Sequence, residues 1–127
     1  MALLFHRTLV SLARAILKEG FGDEKWGFGD DQHTGRALTA VGVWLTDQPV
    51  DPDDGPPGAA VLEVELNMSD EELATFEVHG VLDEARLFVV PARVVNPRSS
   101  IRISSVDARS SWFHEQVEDE SDEPGNA

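Results

Sequence analysis

His6, Arg7 and Thr8 stand side by side at the end of a short apolar run, LFHRT, one step before a helical pattern begins. An imidazole can donate, accept or exchange a proton near neutral pH, a guanidinium holds anions, and a hydroxyl does either hydrogen-bonding job. Successive side chains of a strand point to opposite faces, so His6 and Arg7 cannot both enter one cleft while the strand persists. One cleft can therefore take either His6, with Thr8 two positions on, or Arg7. The plainer alternative is a histidine at a strand end whose ring is satisfied by the backbone.

Other chemistries find less in the chain. There are no cysteines, which excludes thiol nucleophiles, thiolate zinc sites and disulfides. His33, His79 and His114 stand apart in sequence, with no pair at ligand spacing, so no metal is expected. Asp47, Asp51, Asp53 and Asp54 crowd one proline-rich loop, but their spacing is not that of a calcium loop, and a solvated acidic loop is the better reading. The serines between Ser99 and Ser111 sit in no nucleophile-elbow frame.

The elements that must hold His6 can be laid out in order. The run before it is a short strand. Leu9, Leu12, Ala13, Ile16 and Leu17 then recur at helical spacing, with Thr8 placed to cap the helix and Gly20 to end it. Residues 21–40, with Gly22, Gly27, Gly29 and Gly35 among Phe21, Trp26 and Phe28, suit an irregular loop with aromatic anchors. VGVWLT at 41–46 reads as a buried strand, and the proline-rich segment after it as a turn. AAVLEVEL alternates, with Leu62, Val64 and Leu66 on one side and Val61, Glu63 and Glu65 on the other. Ser69 and Glu72 form a capping box for a short helix. RLFVVPARVV at 86–95 reads as a strand broken or bulged at Pro91, and SIRISSV as a last alternating strand. The expected class is α+β, with about five to seven strands in a split sheet.

The length of 127 residues fits one domain, expected over residues 1–114, and the six acids and no bases of residues 115–127 predict a disordered acidic tail. A formal net charge of −14 repels phosphate backbones, so nucleic-acid binding by the surface as a whole is not expected. No stretch has the length or polarity pattern of a membrane span or a signal peptide, and the lack of cysteine suits a cytoplasmic location.

Taken in order, HRT, AILKEGF, GVWLTDQP and RLFVVPARVVN resemble the motifs of the ADP-ribosyltransferase-like family, over roughly residues 2–98. That family includes poly(ADP-ribose) polymerases, RNA 2′-phosphotransferases and bacterial toxins. The resemblance, to the His-type branch, implies a split β-sandwich with a helix after the first strand and a cleft for NAD. It assigns His6 and Thr8 to an NAD ribose, and Trp44 to the place of a tyrosine in a GVY strand. Arg7 neighbours the position where the other branch has an anchoring arginine. The chain has no tyrosine, so stacking on nicotinamide falls to Trp44, Trp26 or Phe28. Where the family's transferases carry a glutamate at the start of a late strand, this chain reads LDEARLFVV, making Glu84 and Arg86 the candidate catalytic groups.

The resemblance implies an NAD-dependent transferase with a protein or nucleic-acid acceptor, of toxin or phage-modifier type. Two alternatives are carried with it. One is a catalytically silent acidic protein that occupies a basic partner. The other is 2′-phosphate transfer from RNA, which requires Arg7, Arg86, Arg93 and Arg98 to line one groove.

Overall fold

The computed structural model describes residues 1–30, 33–50 and 56–106. The expectations for Asp51, Asp53, Asp54, His114 and the tail lie outside them.

Strand β1 (Ala2–Thr8) leads into helix α1 (Val10–Glu19), then strands β2 (Glu24–Asp30), β3 (Ala37–Thr46) and β4 (Ala60–Leu66). Helix α2 (Asp70–Ala74), strands β5 (Glu77–Val78) and β6 (Leu87–Val90), helix α3 (Ala92–Val95), a 3₁₀ turn (Asn96–Arg98) and strand β7 (Ser99–Val106) follow among the described residues. Among the described residues all the strand pairs are antiparallel, in the order β5-β6-β3-β1-β4-β7, with β2 also paired to β3. The class is α+β.

Alternation along each strand divides the apolar residues into two layers. Leu4, Val43, Leu45, Leu62, Val64, Leu66, Phe88 and Val90 form the main core with Val10 and Ala13 of α1, Leu73 of α2, and Ala92 and Val95 of α3. The helices thus cover one face. Trp44, Val61, Leu87 and Val89 are buried but lie outside that cluster, on the other face. The aromatic rings of Trp26 and Phe28, from β2, pack against Trp44 at centroid distances of 5.2 and 5.8 Å.

The segment read as an irregular loop contains a hairpin: β2 and the first half of β3, joined from Trp26↔Ala40 through Asp30↔Ala37 with a bulge between. Trp26 and Phe28 recur with the period of a strand, and the glycines between them hide that period. Two further expectations are corrected. Pro91 ends β6 and caps α3, so residues 92–95 are helical rather than a resumed strand; proline supplies the dihedral that precedes a first turn. Helix α1 is capped by Leu9 without a side-chain bond, since Thr8 is still part of β1. Gly20 does end α1, and Ser69 and Glu72 do form the capping box of α2.

Candidate functional site

The site begins where two strands part. β1 pairs with β4 along its whole length but meets β3 only at Phe5↔Thr46. Beyond that pair the backbones separate, and the His6 ring spans the gap by donating from Nδ1 to the Trp44 carbonyl at 2.7 Å. This fixes the tautomer, since a carbonyl can only accept; Nε2 is left with its lone pair as an acceptor. Burial pushes the His6 pKa below its ordinary value, and the bond to Trp44 opposes that shift only in part. The ring is neutral at pH 7.

Below the gap lies a hollow of about 270 Å³. His6 and Thr8 from β1, Gly42 and Val43 from β3, Leu12 and Ile16 from α1, and Phe21 and Trp26 line it. Phe21 meets the His6 ring edge-on at 5.1 Å. A smaller hollow of about 160 Å³ shares His6, Thr8, Leu12, Glu24 and Trp26 with it and extends past Arg7, Pro56 and Pro57. The two make one elongated groove.

Local structure explains why the groove keeps its shape. Gly20 leaves α1 at φ +89°, a region that disfavours side chains, and a Cβ there would sit 2.9 Å from Asn96 Oδ1. That closeness lets Asn96 grip the next residue on both sides: its Oδ1 accepts from Phe21 N at 2.8 Å and its Nδ2 donates to Phe21 O at 2.9 Å. Asp23 adds a second tie by accepting from Ala92 N at 2.8 Å. On the other strand, Trp26 donates from Nε1 to Gly42 O at 3.0 Å and so closes the wall. At Gly58 a side chain would run into the Thr8 backbone, which passes directly over it.

The structure brings together only part of the residues singled out in the sequence. His6 and Thr8 share the groove, as the alternation required. Arg7 borders its smaller end, but the guanidinium is directed to the carbonyls of Val50 and Gly58, at 2.9 to 3.2 Å. Trp44 does not line the groove: with Val43 and Leu45 in the main core, its side chain falls on the opposite face, and its buried Nε1 has no partner among the described residues. Phe28 goes with it. Trp26, edge-on to Trp44, is the indole that faces the groove.

Glu84 and Arg86 lie outside the groove as well. Arg86 sits just before β6, where its backbone N–H donates to Asp47, its guanidinium makes two bonds to Glu77, and it lies 5.0 Å over the Phe88 ring. That is the Thr46 end of β3, whereas the groove opens at Gly42 and Val43. The carboxylates that do line the larger hollow are Glu19, Asp23 and Glu24. Sequence reading missed these three and Asn96. The phrase Gly20-Phe21 marked the place, but the partner 75 positions away carried no local signal.

Of the arginines that the RNA reading needs in one groove, Arg7 borders the smaller hollow, while Arg86 pairs with Glu77 and Arg98 with Glu72, and Arg86, Arg93 and Arg98 line neither hollow. Among the described residues no three histidines or carboxylates converge as metal ligands, and no helix is long and apolar enough to cross a membrane. Comparison of the chain with protein families, with curated proteins and with solved structures gives no match.

Proposed function

We propose that the groove binds NAD and that the chain is an ADP-ribosyltransferase-like protein, with its β1/β3 split as the corresponding cleft. The observation that carries this reading is the buried, neutral His6, held by the Trp44 carbonyl so that Nε2 can accept from a ribose hydroxyl, with the Thr8 hydroxyl two residues on. A vicinal diol suits such an acceptor beside a hydroxyl. Trp26 offers the apolar face that a planar base or nicotinamide requires. The groove is also polarised. Glu19 and Asp23 border only the larger hollow and Arg7 only the smaller, which orients a dinucleotide with its cationic nicotinamide toward the carboxylates and its pyrophosphate away from them. Carboxylates near that ring also favour the positive charge that develops on the ribose as the bond to nicotinamide stretches.

Glu84 and Arg86 have no part in this version of the site. Their distance from the groove, with the lack of tyrosine, favours the second reading, a catalytically silent acidic protein that occupies a basic partner.

Titration calorimetry with NAD separates the two. Asn can place an amide donor where Nδ1 stands but cannot reproduce the Nε2 acceptor, so His6→Asn preserves the tie to Trp44 and removes the ligand bond. The expected result is measurable heat with the parent and about tenfold weaker binding in the variant, which corresponds to one hydrogen bond of about 1.4 kcal/mol. Absence of heat from the parent would remove the NAD reading and leave the silent one.

A further inference from the structure

The larger hollow carries a rim of three carboxylates, of which the single positive charge of a bound nicotinamide offsets only part. Glu19, Asp23 and Glu24 are exposed at its edge, and no lysine or arginine lines it among the described residues. Asp23 has one oxygen committed to Ala92 N, while Glu19 and Glu24 take part in none of the ion pairs among the described residues. The contrast with Glu63, Glu72 and Glu77, each held by an arginine, sets these two apart. An acidic cluster alone does not make a site. Here it stands at the mouth of a hollow into which His6, 7% exposed, presents an Nε2 with no partner among the described residues.

We infer that the acceptor is a cationic side chain, a guanidinium or an ammonium, carried on a basic protein segment rather than on a nucleic acid. The inference rests on the NAD reading of the groove. A phosphate backbone approaching this rim meets carboxylates and a chain of net charge −14, while a basic segment is drawn toward both. The reaction balances. The bond from the ribose C1′ to the nicotinamide nitrogen breaks, and its electron pair leaves with neutral nicotinamide. A nitrogen of the acceptor first gives up one proton to a rim carboxylate, from which it passes to solvent, and the lone pair so freed forms the new bond to C1′. Carboxylates that hold the acceptor cation also lower the cost of placing it beside the positive charge developing on the ribose.

The test uses the full chain and NAD labelled in its adenylate half. Four probes of equal length are offered: an arginine-rich peptide, a lysine-rich peptide, a glutamate-rich peptide and a single-stranded RNA. Fluorescence anisotropy without NAD measures binding of each probe, and label transfer measures reaction. The basic peptides are expected to bind with an affinity that falls as salt rises and to take label, whereas the acidic peptide and the RNA do neither. A Glu19→Gln, Glu24→Gln double variant, altered only at exposed positions, is expected to bind the basic peptides about tenfold more weakly. Label on the RNA, equal labelling of acidic and basic peptides, or NAD binding without capture of a basic peptide would overturn the acceptor assignment and leave the NAD reading intact. Capture of basic peptides by a chain that gives no heat with NAD would instead overturn transfer itself.

Discussion

His6 is the residue on which the groove turns, and its burial makes a prediction independent of any ligand. Desolvation lowers its folded pKa from the ordinary 6.5, against the smaller opposing effect of the bond to the Trp44 carbonyl. Above about pH 7 the ring is neutral in both folded and unfolded chains and pH has no leverage. As pH falls through 6.5 the unfolded chain takes up a proton that the folded one refuses, so stability is lost, by up to about 1.4 kcal/mol per pH unit, until the lowered folded value is reached. Urea unfolding between pH 7 and pH 5 is expected to show this fall in the parent and a flatter profile in His6→Asn. The carboxylates Glu63, Glu72 and Glu77, whose pKa values are lowered by Arg102, Arg98 and Arg86, lose their contributions only below about pH 4.5, outside this window. The two indoles differ at the same scale. Trp26 loses a bond to Gly42 O when it becomes Phe, whereas Trp44→Phe removes a buried N–H with no partner among the described residues. An unsatisfied buried donor costs about 1–3 kcal/mol, which offsets much of the lost packing. Trp44→Phe is therefore expected to cost less than about 1.5 kcal/mol in urea unfolding and to leave NAD binding unchanged, while Trp26→Phe weakens both.

At the scale of elements, the groove is built by a joint between the end of α1 and the end of α3. Asn96 satisfies both backbone groups of Phe21, and Gly20 makes room for it. Truncation in Asn96→Ala leaves those two groups part-buried without the bonds, which predicts a loss of about 2–3 kcal/mol. Gly20→Ala suffers twice, from its positive φ and from the contact with Asn96 Oδ1, so its cost is expected to fall when Asn96 is already alanine. A double-mutant cycle in urea checks this, with a coupling of about 1 kcal/mol in that direction. Much of the element order was legible, because β1, α1, β4 and α2 announce themselves by short-range patterns: helical spacing from Leu9, alternation from Val61, and the Ser69 and Glu72 box. The positions of His6 and Thr8 on one face followed from period two alone. What could not be read had physical causes. Glycines at 27 and 29 interrupt the apolar signal of β2, a proline that ends β6 looks the same in sequence as one that bulges it, and Trp44 alternates with two core residues whose face no local rule assigns. Placing Glu84 and Arg86 in the site required the approach to β6 to lie at the mouth of the groove. The antiparallel register Thr46↔Leu87 sends it to the other end of β3.

For the molecule as a whole, the net charge of −14 is the dominant electrostatic feature. Surplus carboxylates number fourteen, and only some of the described ones meet an arginine: Glu63, Glu72 and Glu77 are held, while Glu19 and Glu24 take part in none of the ion pairs among the described residues. Such a surface repels itself in the compact state more than in an expanded one, and salt relieves the repulsion because the Debye length falls from about 30 Å at 0.01 M to about 10 Å at 0.1 M. Surface ion pairs weaken with salt in the opposite sense but are worth only about 0–1 kcal/mol each. Self-repulsion therefore wins, and the melting temperature is expected to rise between about 0.01 M and 0.3 M sodium chloride. Residues 115–127 hold six of the acids and no bases, so a chain ending at residue 114 carries much less repulsion. If the acids of that segment act through long-range charge, the shortened chain melts higher at low salt, and the two curves converge as salt rises. A gap that persists unchanged at about 0.3 M would mean that the segment makes specific contacts instead. The same comparison bears on the acceptor, since a basic peptide that lost most of its affinity on removal of residues 115–127 would be held by that segment rather than by the rim at Glu19 and Glu24.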